Sequence, residues 1–431
     1  MMAQTGQARR NRRARSFAWG MGLAVAAAAA TPAWATFGYF AHGYGVQSEG
    51  LAGAAIAYPK DSLAIATNPA SLFALGNRID AGVDLFIPDR GASITGNGAG
   101  PDQSFDGNGV KTYLIPQIGY SHLLSDDWAV GVAVYGNGGM STSYRTNPFG
   151  RFGATGKAGI NLEQLFVSPT IAYRLAEGQS IGVSFNLGYQ LFKAEGVGIF
   201  GGYSANSSAI SNRNSDHAYG YGVRVGYQGQ LTPDLTVGAF WQSKTYFARF
   251  KKYSGLFAEQ GGFDAPSSYG AGLGYKLTPQ LDVALDFERI DYSDVPSVGN
   301  KLSELFLGHP FGASNGPGFG WRDANVVKLG LNYTIDPQWQ IRAGYGYTTQ
   351  PVPQSQTFLN ILAPGVVQNH FTVGGTWTSD GGTEVSGAVL YAPKTPVNGS
   401  GSIPAPFGGG EANVRLSEVI VGLSVGWHLE P

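Results

Sequence analysis

The chain has 431 residues, with 28 Lys and Arg against 29 Asp and Glu, a formal net charge of −1 and no cysteine. Five of those arginines fall in the first 15 residues, so the remainder is acidic; this excludes a nucleic-acid binder, a disulfide framework and a lipidated N-terminal Cys. Charged residues make up only 13%, about half the usual share for a soluble domain, while aromatics also reach 13% and glycine numbers 65.

The first element in chain order is a leader. Arg9, Arg10, Arg12, Arg13 and Arg15 precede an apolar run from Phe17 to Ala30 and then TPAWA, with Ala33 and Ala35 at cleavage-site positions. This pattern predicts a Sec-type signal peptide over 1–35, with export beginning at Thr36. The run is shorter than the ~20 residues that span a bilayer. No later run of 18 apolar residues occurs, which excludes a helical membrane protein. A transmembrane β-barrel of a bacterial envelope fits what is left.

Residues 36–77 come next, apolar and Gly-rich (TFGYFAHGYG, GLAGAAIAY), and they include DSLAIATNPASLFAL at 61–75. The residue before a proline is pushed out of the α region. A helix starting near Asp61 should therefore stop by Thr67. Asn68 can then cap a new turn whose first position, Pro69, needs no N–H. An ordinary helix break is the alternative.

Beyond residue 78 the pattern changes to period two. In WQIRAGYGYT, Trp339, Ile341, Ala343, Tyr345 and Tyr347 alternate with Gln340, Arg342, Gly344, Gly346 and Thr348; SYGAGLGYKL and VIVGLSVGWHL repeat the pattern. Such segments, about ten residues long, mark a barrel with lipid outside and a polar or small-residue lumen. Fourteen are predicted, at 79–88, 111–122, 127–144, 160–175, 179–195, 216–231, 234–251, 268–277, 280–292, 324–335, 338–350, 369–379, 383–393 and 415–429. Tight turns (LLSDD, LAEGQ, LTPDL, LTPQL, IDPQW, SDGG) follow the even strands, and long loops follow the odd ones. Short turns belong on the periplasmic rim, so residues 36–77 start there. Exposed, they would be an apolar liability, so they should fold into the lumen as a plug.

EGLAGAAIAYPKDSLAIATNPASL resembles the N-terminal hatch of the FadL-type family, outer-membrane transporters of long-chain fatty acids and other hydrophobic compounds. Asn68, Pro69 and Ala70 match its Asn-Pro-Ala signature. The resemblance continues through VAVYGNGGMSTSY, LEQLFVSPTIAY, GWRDANVVKLGLNYTIDPQWQIRAGYGYTTQPVP, NILAPGVVQNHFTVGGTW and VSGAVLYAPK, nearly the whole exported chain. It implies an all-β, 14-stranded antiparallel transmembrane barrel over 78–431, closed by a partly helical hatch over 36–77. The protein would be monomeric and without a cofactor, in contact with outer-membrane lipid and lipopolysaccharide. Substrate would be captured by outer loops, held in an apolar lumen pocket and released sideways where the third strand kinks.

The sequence offers candidates for each part. Gly136, Asn137, Gly138 and Gly139 interrupt the alternation of Val130, Val132 and Val134; they fit the kink, or a plain Gly-rich lumen face. Ile199, Phe200, Tyr203, Leu256, Phe257 and Phe263 are apolar for loops and fit a capture groove, or mutual packing. Arg224, Lys328 and Arg342 lie on the lumen phase and could meet a substrate carboxylate. Ion pairing with Asp282, Asp286 or Glu288 across the wall is the alternative use. Arg249, Lys251 and Lys252 in YFARFKKY fit an interfacial girdle beside anionic headgroups.

Catalytic residues are not expected: an enzyme would need a Ser/His pair held close together, and the sequence offers no sign of one. DGNG at 106–109 lacks the further ligands of a calcium loop. The six histidines (His42, His122, His217, His309, His370, His428) show no paired-ligand spacing, so no metal site is expected. The chain ends GWHLEP rather than on a terminal aromatic. A general diffusion porin is the alternative from another class, and a barrel lipase a third. Fatty acids, alkanes and monoaromatics remain open as substrates.

Overall fold

The structure, a computed structural model, describes residues 37–430; the leader expected over 1–35 lies outside the described residues. Fourteen antiparallel strands close into one barrel. They are β1 Arg78–Thr95, β2 Tyr113–Leu123, β3 Trp128–Tyr144, β4 Ala158–Ala176, β5 Gln179–Glu195, β6 Asp216–Thr232 and β7 Leu235–Gln242. The circuit continues with β8 Ser268–Lys276, β9 Leu281–Ile290, β10 Ala324–Thr334, β11 Trp339–Thr348, β12 Asn369–Thr378, β13 Thr383–Val397 and β14 Glu411–His428. Sequence neighbours are spatial neighbours throughout. β14 returns to β1 in one unbroken register, from Arg78 opposite His428 to Thr95 opposite Glu411. Closure pairs every strand on both sides along at least part of its length, the condition for strands to stand in lipid.

Alternation sorts the side chains. On β11, Trp339, Ile341, Tyr345 and Tyr347 are exposed, while Arg342 and Thr348 are buried. On β14, Val421, Leu423 and Trp427 face out and Glu418 faces in. Trp128, Tyr173, Tyr275, Tyr333, Trp339, Trp377 and Trp427 ring the short-turn rim, and Tyr219, Tyr221, Tyr246, Tyr269 and Tyr391 ring the other. Two aromatic belts flanking an apolar band match a bilayer's two interfaces.

Three strands depart from the sequence reading. β1 does not stop at Pro88. That proline falls just past Phe86, the last residue with a β2 partner, where a missing N–H costs no ladder bond. β1 and β14 then continue together beyond the rest of the wall, joined by a short strand at Gln103–Asp106. β7 ends at Gln242, well short of 251. Phe247 and Phe250 turn inward and are buried, and Tyr246–Phe247 pair back on β6. The C-terminus stays in register to the end of the wall, with the Leu429 amide donating to Asn77 O at 2.8 Å.

Residues 37–77 lie inside the barrel and form only short turns: Val46–Glu49, Ser62–Ala66, Pro69–Ser71 and Leu72–Leu75. Almost every residue from Phe37 to Leu72 is buried.

Candidate functional site

Asn68 is held from three sides. Its Oδ1 accepts from the Ala70 amide at 3.1 Å, capping the turn that Pro69 opens. Its Nδ2 donates to Ile56 O at 2.7 Å and to Tyr227 O on β6 at 3.0 Å. Pro69, Asn68 and the Ile56 carbonyl press directly against Gly182, Gly226 and Gly238 on β5, β6 and β7, where any side chain would collide with them. Three adjacent strands thus present bare backbone to the Asn-Pro-Ala turn, while the turn before it stops at Ala66 with Thr67 as its cap.

Polar groups complete the attachment. Asp286 on β9 accepts from the Ala55 and Ile56 amides at 2.8 and 3.0 Å. Thr372 on β12 accepts from the Ala52 amide and donates to Gly50 O, both at 3.0 Å. Asp80 accepts from the Ser62 amide and hydroxyl, and Arg78 bridges Asp80 and Glu384 at 2.6 and 2.9 Å. Gln47 donates to the same Glu384 at 2.7 Å. Asp61 caps Leu63 and also accepts from the Gln47 amide. Burial, with Asp80 nearby, pushes the Asp61 carboxyl up to about 7. Burial raises Glu49 as well, beside Asp84 and Gln117.

The glycine-rich part of β3 is where the wall and the N-terminal segment meet backbone to backbone. The register of β3 on β4 slips between Gly136 and Gly138, leaving Asn137 as a bulge. The Ala41 amide donates to Asn137 O at 3.1 Å, and the Gly139 amide donates to Tyr39 O at 3.0 Å. Gly138 lies so close to the Tyr39 carbonyl that no side chain fits between them. On its other side β3 pairs with β2 only from Leu123–Ala129 to Ile118–Val134. Above that point Tyr113–Gln117 bond to β1 but not to β3, so the wall has an unpaired seam beside the bulge.

Outside this level the long loops fold over an apolar chamber. Phe192, Phe200, Leu256, Phe257, Phe311, Phe319, Leu359 and Leu362 line it around a cavity of about 30 Å³. Below it Phe263 packs on Phe257 (ring centroids 4.9 Å) and on Tyr39 (6.1 Å), with Trp321 and Tyr292 alongside. Thr142 and Tyr144 at the outer end of β3 donate to Leu362 O and Ile361 O, both at 2.8 Å. Of the six loop residues read from the sequence, Phe200, Leu256 and Phe257 line the chamber. Phe263 lies deeper, against the N-terminal segment; Ile199 packs on the outer core, and Tyr203 sits on Phe407 at the rim. The loops over 293–323 and 351–368, with Ile160 of β4 and Phe192 of β5, supply the rest of the lining. Their signal was the apolar run TFLNILAPGVV in a stretch that should be solvated.

The three basic candidates differ in what holds them. Lys328 is paired with Glu288 at 3.2 Å. Arg342 donates to Thr376 and to Gln47 of the N-terminal segment at 2.7 and 2.9 Å. Arg224 bonds to Gln242 and lies over the Phe240 ring, with its Nε and Nη1 buried and without hydrogen-bond partners. Arg249, Lys251 and Lys252 are exposed at the outer rim.

A closed barrel with lipid-facing belts, a lumen filled by its own N-terminal segment and an apolar chamber under the outer loops defines a plugged outer-membrane β-barrel. The family model described as "Outer membrane protein transport protein (OMPP1/FadL/TodX)" matches residues 22–425. The chain belongs to this family, a family of transport proteins of the outer membrane. It is 23% identical to the long-chain fatty acid transport protein of Escherichia coli over 345 residues, 69% of this chain and 74% of that one. Among solved structures it is similar to a Pseudomonas aeruginosa FadL homologue (TM-score 0.68, 15% identity, covering 91% of this chain and 100% of the other). It is similar also to the Pseudomonas putida toluene transporter TodX (TM-score 0.65, 18% identity, 91% and 100% covered).

Proposed function

We propose that the chain carries hydrophobic molecules, long-chain fatty acids first among them, through the outer membrane without an energy source. The observation that carries the reading is the run of apolar surface from the outer chamber, past Phe263 and Tyr39, to the seam between β2 and β3. Burying an alkyl chain gains roughly 0.8 kcal/mol per CH₂, so such a chamber concentrates a dilute ligand. At about 30 Å³ it has room for little more than a water, and its rings must part to admit cargo. From there the cargo would move down to the β3 bulge and leave sideways into lipid as the segment over 37–41 shifts. Arg224 is the basic residue whose spare N–H groups suit a carboxylate.

Aromatic hydrocarbons are the second reading, favoured by the ring-lined chamber and by the likeness to toluene transporters. A water-filled porin is disfavoured by a lumen packed with residues 37–77. The test is uptake of labelled oleate and labelled toluene into proteoliposomes, with Gly138→Leu beside the wild type. Filling the bulge should cut uptake while the barrel stays folded. Unchanged uptake in that variant would sink the side-exit route. Swelling of the liposomes by small sugars would favour the porin.

A further inference from the structure

Three buried side chains far apart in sequence meet at one level of the lumen. His42 belongs to the N-terminal segment, His370 to β12 and Glu418 to β14. Ala392 on β13, between β12 and β14, stands opposite Glu418. Their imidazole nitrogens and carboxylate oxygens all lie within 4.8 Å of one another. The two imidazole rings are 4.2 Å apart, and the edge of Phe37 packs on both at 4.9 and 4.7 Å.

What makes the cluster unusual is the unmet bonding of His42 and Glu418. His42 is 2% exposed and Glu418 1%. Neither ring nitrogen of His42 and neither oxygen of Glu418 has a hydrogen-bond partner. Unmatched polar groups at this depth cost several kcal/mol. The nearby cations have other partners. Lys328 pairs with Glu288 and lies over the Phe37 ring. Arg90, which acts on Glu418 electrostatically, donates through Nη1 and Nη2 to Tyr113, Ser141 and Val110, and its Nε makes no hydrogen bond, to Glu418 or to any other group.

We propose that His42, His370 and Glu418 form a binding site for a divalent transition-metal ion of zinc's chemistry, fastening the N-terminal segment to the wall. Two imidazoles and one carboxylate are a zinc donor set that leaves a fourth position for water. Metal–ligand bonds of about 2.0–2.2 Å need donors somewhat closer together than 4.8 Å, a contraction within reach of small side-chain rotations. Nitrogen donors in the majority argue against calcium or magnesium. The ion would also brace the β3 bulge. His42 directly follows Ala41, whose amide bonds to Asn137, so the bound metal would reinforce the hold on the stretch over 37–42 at its C-terminal end.

The test uses untagged, full-length exported chain in detergent, stripped with chelator and equilibrated with zinc or cobalt. Wild type should retain roughly one zinc per chain and give the visible bands of tetrahedral cobalt with N/O ligands. His370→Ala and Glu418→Gln should each weaken zinc by at least the roughly 10–100-fold that loss of even an outer-shell partner costs. Zinc should also slow hydrogen exchange over 38–46 in the wild type. Wild type that retains no zinc, or a cobalt complex without tetrahedral bands, overturns the site. Folded variants that bind as tightly as wild type overturn it too. If a variant fails to fold, the cobalt spectrum and exchange of the wild type decide alone.

Discussion

At the scale of single residues, Asn68 and Asp61 hold the plug by different physics. Asn68 satisfies one amide and two carbonyls at once, all in buried surroundings. Asn68→Ala leaves them unmatched and should loosen the plug by about 1–3 kcal/mol. The check is faster hydrogen exchange over 68–75 with barrel strands unchanged. Asp61 acts through its proton. Its carboxyl, near 4 when the plug is displaced into water, rises to about 7 when docked, chiefly by burial. A raised acid pKa means that the docked state holds the proton more tightly. Its stabilising contribution is therefore full below about pH 4 and is lost as pH rises towards about 7. Asp61→Asn, neutral throughout and still able to cap Leu63, should flatten that part of the pH dependence. Protection factors over 62–75, corrected for intrinsic exchange, measure it. Glu49 shifts in the same direction, so some dependence should persist in the variant.

At the scale of elements, each strand carries two messages on alternating residues. The lipid side tolerates no charge: Leu423, 61% exposed and midway along the membrane part of β14, faces hydrocarbon. Leu423→Arg should cost about 2–4 kcal/mol, read from urea unfolding in lipid vesicles. The lumen side instead keeps Arg78, Asp80 and Glu384 as a bonded set. β3 departs from this regularity because a bulge and its glycines let a second backbone approach. The alternation and the glycines at 136, 138 and 139 were legible in the sequence. The unpaired seam with β2 was not, because pairing depends on where the neighbouring strand ends. The continuation of β1 past 88 was hidden for a related reason: whether a proline ends a strand depends on which side has lost its partner.

At the scale of the whole molecule, the wall closes strand to strand around its circuit, and it takes backbone bonds from the plug chiefly at the β3 bulge beside the β2–β3 seam. Deleting residues 37–75 should therefore leave a barrel that still migrates as folded on unheated gels, with conductance in planar bilayers well above the wild type. Loss of the folded band would show that the plug is needed for assembly. The sequence by itself determined the strand count, the separation of short turns from long loops and the burial of the apolar segment that the structure shows inside the barrel over 37–77. Period-two burial, tight turns and an apolar surface that water will not accept are local properties, readable from consecutive residues. Only the tertiary structure decided which side chains meet. Asp286 caps Ala55 and Ile56, Gly182, Gly226 and Gly238 receive Asn68 and its neighbours, and His42 reaches His370 and Glu418. Those contacts join residues far apart in the chain through strand register and barrel closure, and neither is encoded at any one position.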